Sequence, residues 1–357
     1  MRVLIAGGGT GGHIIPALAV ASELVARQPA EILFVGTPRG LETKLVPEAG
    51  FNLHLVEVGQ LNNVSLKTRL NTLMQLPRNF AECKRLIREF RPNVVFGVGG
   101  YASGPAMGAA IQMKVPTMAF EPNAVPGLAN RLIGRWVQAA AVNFPSAASW
   151  FRNAEVTGIP VRPEFFQLQP DPYADPHLLV FGGSQGARLF NTTMPKIVKK
   201  LLESVPYLTV LHQCGMRHVD ATRAAFEESG ADPKRWQVEP YLTDMPARFR
   251  KATLVMARSG ASTVAELAAA SKPSLLIPFA AAADNHQQRN AEEMVNVGAA
   301  VLLKESQLDP PSTLLEKLVQ LLSDSQRLLA MGSASRTQAH LGATERIAQR
   351  LQELAGN

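Results

Sequence analysis

The stretch Met1-Arg2-Val3-Leu4-Ile5-Ala6-Gly7-Gly8-Gly9-Thr10-Gly11-Gly12-His13 decides how the rest of the chain is read. A short apolar run of this kind fits a strand buried on both faces, and it opens through glycines into a helix-like run. Such a step is the first βα unit of a doubly wound sheet. Its bare backbone N–H groups can approach an anion that side chains would obstruct. A second unit of the same kind, Leu178-Leu179-Val180-Phe181-Gly182-Gly183-Ser184-Gln185-Gly186-Ala187-Arg188, begins near the middle of the chain.

Working outward from these two units, strand-like runs at 3–6, 32–35, 94–96 and 117–120 in the first half, and at 178–181, 208–212, 254–257 and 274–277 in the second, alternate with helix-like stretches. The alternation predicts parallel sheets. The pattern breaks at Gly158-Ile159-Pro160-Val161-Arg162-Pro163 and the proline-rich stretch 170–176, which read as an interdomain connection. The expected fold class is therefore α/β: two Rossmann-like domains facing a central cleft, with ligands at the carboxyl ends of the strands. The domains are placed at 1–160 and 161–340, and a C-terminal helix over 341–357 is expected to pack back on the first. A length of 357 residues agrees with two cores rather than one.

Composition bounds the function classes. The apolar run 275–283 is too short to cross a bilayer, at about nine residues against the ~20 required, and it contains Pro278. The N-terminus lacks the long apolar core of a signal peptide, so the protein is expected to stay in the cytoplasm. Cys83 and Cys214 stand apart, with neither a disulfide framework nor a metal-ligand spacing. The net charge is +7, and residues 1–160 hold 15 Lys and Arg against 9 Asp and Glu, so most of the excess lies in the first half. Polyanions or anionic lipid are the partners that this balance suits. Leu66, Leu70, Leu73 and Met74 recur at helical spacing beside Lys67, Arg69 and Arg78, with Lys84, Arg85, Arg88 and Arg91 downstream. This segment reads either as a basic amphipathic membrane-surface element or as a domain helix turning its stripe to the core.

Several strand ends carry chemistry. Gly7, Gly9 and Gly12 match a dinucleotide fingerprint, but the second strand-like run ends Val35-Gly36-Thr37 without the acidic ribose ligand that NAD requires. His13, at the mouth of the loop, reads as a general base or as a helix cap. Gly97 to Pro105 is another strand-to-helix glycine loop, and Glu121-Pro122-Asn123-Ala124 follows a third strand, with Asn123 a ligand or a cap. In the second half, the 182–188 loop offers backbone donors, the Ser184 hydroxyl and a helix dipole, and Arg162 could complete a diphosphate site. Ala261, Ser262, Thr263, Val264 and Ala265 lead from a strand end to Glu266, an acceptor suited to a ribose diol. Gln287 and Gln288 bring amides suited to sugar hydroxyls. Ordinary turns and caps also account for each motif taken singly.

The order of the motifs is far more specific. GGGTGGH (7–13), GGYASGP (99–105), EPNA (121–124), GIPVR (158–162), GGSQGA (182–187), RSGASTVAE (258–266) and DNHQQRNA (284–291) together resemble the MurG glycosyltransferases across nearly the whole chain. The resemblance implies the GT-B glycosyltransferase architecture and an inverting transfer of N-acetylglucosamine (GlcNAc) from UDP-GlcNAc. The acceptor would be the C4 hydroxyl of MurNAc in undecaprenyl-pyrophosphoryl-MurNAc-pentapeptide, giving lipid II for peptidoglycan. It implies that Thr10, Gly11, Gly12 and Asn123 meet the donor, that Arg162 and Ser184 hold its diphosphate, and that Leu242 contacts uracil through its backbone. Residues 261–265 and Glu266 would take the ribose, and Gln287 or Gln288 the GlcNAc hydroxyls. Tyr101 and Glu121 are acceptor-side candidates, and His13 is the base. Pro122 departs from the glutamine common at that position in the family. No Asp-x-Asp motif occurs and residues 1–160 contain no aspartate, so a metal-bound diphosphate is not needed, and no cofactor or nucleic acid is expected. The resemblance implies a peripheral place on the cytoplasmic face of the inner membrane. Two other readings are a UDP-GlcNAc epimerase of the same architecture and a non-catalytic, nucleotide-regulated membrane-binding module.

Overall fold

The structure is a computed structural model that describes residues 1–9, 11–59, 66–169 and 175–356, with backbone alone over 66–73. The chain divides into two compact units, Met1–Val161 with Gly342–Asn357, and Arg162–Leu341.

The first unit is built on a parallel sheet of β1 (Arg2–Gly7), β2 (Glu31–Gly36), β3 (Asn52–Leu55), β4 (Val94–Gly99), β5 (Thr117–Glu121), β6 (Ala139–Val142) and β7 (Ala154–Val156). Their order is β3-β2-β1-β4-β5-β6-β7. Val3, Leu4, Ile5 and Ala6 of β1 are all buried because the strand pairs with β2 on one side and β4 on the other and is covered on both faces. The chain reverses its winding between β1 and β4, where such sheets place their ligands. Helix Ala343–Gly356 closes the unit by packing on helix Gly11–Arg27. It buries Ala343, Ile347, Ala348, Leu351 and Leu354, one stripe at helical spacing.

The second unit repeats the plan with β8 (His177–Phe181), β9 (Thr209–Gln213), β10 (Trp236–Glu239), β11 (Leu254–Ala257), β12 (Ser274–Leu276) and β13 (Ala300–Leu302), in the order β10-β9-β8-β11-β12-β13. Its switch point lies between β8 and β11. Helix Arg188–Ser204 buries Phe190, Met194, Ile197, Val198 and Leu201 against this sheet. Each such side chain contributes about 1.5–3 kcal/mol of burial.

The eight strands expected from the sequence are all present. The structure adds the short β3, β6, β7, β10 and β13, whose three or four residues carry too little periodicity to stand out. It also carries β4 through Gly97 to Gly99, residues that read as loop. Gly97 is inside the strand because helix Ser103–Gln112 lies close above it: a Cβ there would come within 2.6 Å of Met107 Cγ. The basic segment lies in helix Leu66–Phe90, and Cys83, Leu86 and Ile87 on its later turns are buried in the core. The side chains of Leu66, Lys67, Arg69, Leu70 and Leu73 lie outside the described residues.

Candidate active site

In the first unit, the loops that follow β1 and β4 press together at the switch point. The Gly8 N–H donates to the Gly99 carbonyl at 3.3 Å. Gly100 has a φ of +83°, and a Cβ there would overlap the Gly8 carbonyl, so only glycine permits this approach. His13 lies in the first turn of helix Gly11–Arg27, half-buried, with its imidazole over Gly99: a Cβ on Gly99 would sit 3.0 Å from His13 Nε2 and Cδ2. Gly11 and Gly12 open the same helix, where backbone N–H groups have no intrahelical partner. Thr10 lies outside the described residues. Tyr101 is an exposed side chain just beyond β4.

Glu121 ends β5 and turns inward. One carboxylate oxygen accepts from the Asn123 backbone N–H at 3.0 Å and side-chain amide at 3.1 Å; the other accepts from Gly127 N–H at 3.0 Å and Asn130 Nδ2 at 2.9 Å. Burial pushes this carboxyl up, and the bonds from Asn130, Asn123 and Gly127 oppose the shift. With only 2% exposure, Glu121 fastens the loop that carries Asn123. Glu42 is a second buried carboxylate, which reading the sequence did not single out. It lies beneath the first glycine loop, accepting from Gly9 N–H at 2.7 Å. Gly9 and Glu42 are 33 residues apart, and no local pattern announces the contact.

In the second unit, a cavity of about 510 Å³ opens where the 182–188 loop meets the ends of β11 and β12, lined by Gly182, Arg188, Arg258, Phe279, Gln287 and Glu305 among others. The loop is fixed by backbone contact. Gly186 has a φ of +73°, and a Cβ on it would overlap the Cys214 carbonyl. That carbonyl is held in turn by Asn191 Nδ2 at 2.9 Å. Helix Arg188–Ser204 begins at Ala187 without a side-chain cap, so its first N–H groups are directed at the loop. Ser184 is exposed on the loop itself.

Arg258, the first residue of the RSGASTVAE motif, is buried and structural. It donates to the Ile277 carbonyl at 2.9 Å and the Pro278 carbonyl at 3.1 Å, pairs with Glu305, and lies between the rings of Phe190 and Phe279. Burial lowers its pKa and the Glu305 charge opposes that shift. The two glutamines separate. Gln287 lines the cavity, with its amide oxygen fixed by Phe279 N–H at 2.9 Å. Gln288 donates to Glu292 at 2.8 Å instead. Glu266 sits in the second turn of helix Ala261–Ala269; burial pushes its carboxyl up to about 7, opposed by the positive charge of Arg162. Ala261 to Ala265 form the uncapped start of that helix. Leu242 buries its side chain in the loop beyond β10, beside the exposed Tyr241. Ser184, Leu242, Glu266 and Gln288 are not among the residues lining the cavity. No cluster of three or more His, Cys, Asp or Glu able to hold a metal occurs among the described residues.

The comparisons with known proteins agree with this layout. The glycosyltransferase family 28 N-terminal domain matches residues 3–142 and the glycosyltransferase family 28 C-terminal domain matches residues 177–349. The chain is 43% identical over 356 residues, covering 99% of it and 96% of the relative, to the "UDP-N-acetylglucosamine--N-acetylmuramyl-(pentapeptide) pyrophosphoryl-undecaprenol N-acetylglucosamine transferase" of Solibacter usitatus (strain Ellin6076). A protein of the same name from Syntrophotalea carbinolica (strain DSM 2380 / NBRC 103641 / GraBd1) is 38% identical, covering 100% of this chain and 99% of its own. The crystal structure of Acinetobacter baumannii MurG superposes with a TM-score of 0.82 at 29% identity, covering 99% of both chains. A UDP-GlcNAc 2-epimerase from Neisseria meningitidis superposes with a TM-score of 0.68 at 14% identity, covering 99% of this chain and 100% of that one, a likeness of fold alone.

Proposed function

The chain belongs to glycosyltransferase family 28, among the MurG proteins, and from that premise we infer that it moves GlcNAc from UDP-GlcNAc to the C4 hydroxyl of MurNAc in undecaprenyl-pyrophosphoryl-MurNAc-pentapeptide. The product is lipid II, the disaccharide precursor of peptidoglycan. The observation that carries this reading is identity at 43% maintained over 99% of the chain, which leaves both halves of the reaction in the shared sequence.

The residues divide the work by unit. In the second, Arg162, Ser184 and the uncapped start of helix Arg188–Ser204 meet the diphosphate and its charge as UDP departs. The backbone at Leu242 meets uracil, and the 261–265 turn with Glu266 takes the ribose diol. Gln287 is the glutamine for the GlcNAc hydroxyls, because it lines the cavity with its amide oxygen engaged by Phe279 N–H, while Gln288 lies outside the lining and donates to Glu292. In the first unit, His13 removes the proton from the acceptor hydroxyl as it attacks the anomeric carbon, and UDP leaves from the opposite face, inverting the configuration. Gly11, Gly12, Thr10 and Asn123 orient the sugars, with Tyr101 on the acceptor side, and Glu121 acts through Asn123.

The test incubates the purified chain with sugar-labelled UDP-GlcNAc and the lipid-linked muramyl-pentapeptide in the presence of a chelator, following UDP release and labelled lipid. Labelled lipid is expected. UDP release without it would sink the transferase reading in favour of an epimerase-like activity, and binding with neither product would favour a non-catalytic module.

Glu266 makes donor binding pH-dependent. A carboxyl pushed up to about 7 is mostly protonated at pH 6 and mostly ionised at pH 8. Ribose hydroxyls donate more strongly to the ionised form. Affinity for UDP-GlcNAc, whose diphosphate does not titrate in this range, should therefore rise by up to about tenfold between those pH values, following the ionised fraction. Calorimetric titration checks this: Glu266→Gln should bind more weakly and without the pH dependence, and a dependence that survives in the variant would remove Glu266 as its source.

The chain acts as a peripheral protein on the cytoplasmic face of the inner membrane, where its acceptor is anchored. Among the described residues, no helix is long and apolar enough to cross a membrane. The stretch 128–152 exposes Leu132 (68%), Trp136 (70%) and Trp150 (42%), with Arg131, Arg135 and Arg152 interleaved. Arg131 stacks 5.7 Å from the Trp150 ring. Exposed tryptophan and leucine among arginines suit an anionic lipid interface. Leu132→Ala with Trp136→Ala should weaken sedimentation with anionic vesicles by about tenfold or more, given about 1.5–3 kcal/mol per large apolar side chain buried. UDP-GlcNAc affinity in solution should be unchanged. Full vesicle binding by the double variant would remove this surface.

A further inference from the structure

The glycine loop after β1 rests on the carboxylate of Glu42. This residue opens helix Glu42–Glu48 and is 0% exposed. Its Oε2 accepts from Gly9 N–H at 2.7 Å, and its Oε1 accepts from Thr37 N–H at 2.8 Å and the Thr37 hydroxyl at 2.9 Å. Removing a carboxylate from water is costly unless donors replace the water, and these three do so. Three glycines make the room. A Cβ on Gly36 would lie 2.5 Å from Glu42 Cγ, and one on Gly8 or Gly40 would overlap the carboxyl group itself.

We propose that Glu42 is a positioning residue for the transfer: it fixes Gly9, four residues before His13, and so sets the imidazole at the end of β4. The first loop is clamped from two sides. Gly8 is bound to Gly99 of β4, over which the His13 ring lies, and Gly9 is bound to Glu42 from beyond β2. The loop after β2 thereby braces the loop after β1 across the edge of the site. This proposal rests on the assignment of His13 as the base. Glutamine at position 42 keeps the size of the side chain but sets an amide NH2 against one of the N–H donors, so Gly9 or Thr37 loses its acceptor. Displacement of a catalytic group by about 1 Å costs on the order of 10²-fold in rate.

The test is a double-mutant cycle with kcat and KM measured separately. Glu42→Gln should lower kcat by about 10²-fold, with the KM for UDP-GlcNAc and the stoichiometry of UDP binding retained. In a His13→Ala background the same substitution should lose most of its effect. Thr37→Val, which removes only the hydroxyl donor to Oε1, should give a smaller loss with the same dependence on His13, and it decides the question if Glu42→Gln does not fold. Equal losses in both backgrounds would overturn the proposal, since they describe a general structural defect, and so would an unchanged kcat. A His13→Ala enzyme with full turnover would remove the base assignment and this proposal together, and that failure is read from the single variant alone.

Discussion

Replacing His13 with alanine lowers kcat by about 10²–10⁴-fold, the usual contribution of a positioned general base, and leaves affinity for UDP-GlcNAc nearly unchanged. The split follows from where the residue is. The imidazole lies over Gly99 in the first unit, whereas the 182–188 loop proposed to hold the diphosphate, Glu266 and Gln287 all belong to the second. The loss should appear in kcat and in kcat/KM alike, as expected for an interaction that matters in the transition state and not in donor binding. Glutamine at position 13 keeps polarity and approximate size but cannot accept the proton, so His13→Gln should recover little. Single-turnover transfer to the lipid acceptor, beside calorimetry with UDP-GlcNAc, measures both quantities. Turnover at the parental rate in His13→Ala would remove the residue as the base.

Gly186→Ala should be the most damaging single substitution in the donor loop. At a φ of +73° an L-residue costs about 1–2 kcal/mol. The added methyl would also overlap the Cys214 carbonyl, which Asn191 prevents from yielding. With overpacking of about 1–3 kcal/mol added, the expected loss of stability is on the order of 2–5 kcal/mol. Relief comes from shifting the 183–187 turn, which moves the backbone donors and the start of helix Arg188–Ser204 away from the diphosphate. Losing one or two charge-assisted bonds weakens UDP binding by about 10–100-fold or more. Thermal unfolding and UDP titration report the two effects. Gly9→Ala serves as contrast: a Cβ there meets nothing within 4 Å, so its cost is backbone strain without overlap. A Gly186→Ala protein with parental stability and UDP affinity would refute the packing argument.

The sequence by itself determined that there are two parallel-sheet units, because β1, β4, β8 and β11 are buried on both faces and must be written as continuous apolar runs, which in β1, β4 and β8 lead directly into glycine. It also pointed to the loops proposed to carry the chemistry, through the order of their glycines, amides and histidine along the chain, although packing alone requires glycine at positions such as Gly100 and Gly186. Short strands such as β7 and β13 were not legible, because three residues show no period and their assignment depends on a neighbour to pair with. Tertiary structure alone distinguished Gln287 from Gln288, which are adjacent in sequence, but the first lines the cavity and the second bonds to Glu292. It alone turned Glu121 inward to fasten Asn123, assigned Arg258 to Glu305 and two carbonyls, and placed Glu42 under Gly9. Side-chain direction and burial depend on what the rest of the chain packs above a residue, and contacts as distant in sequence as Gly9 with Glu42 or Arg258 with Glu305 leave no local trace in composition or spacing.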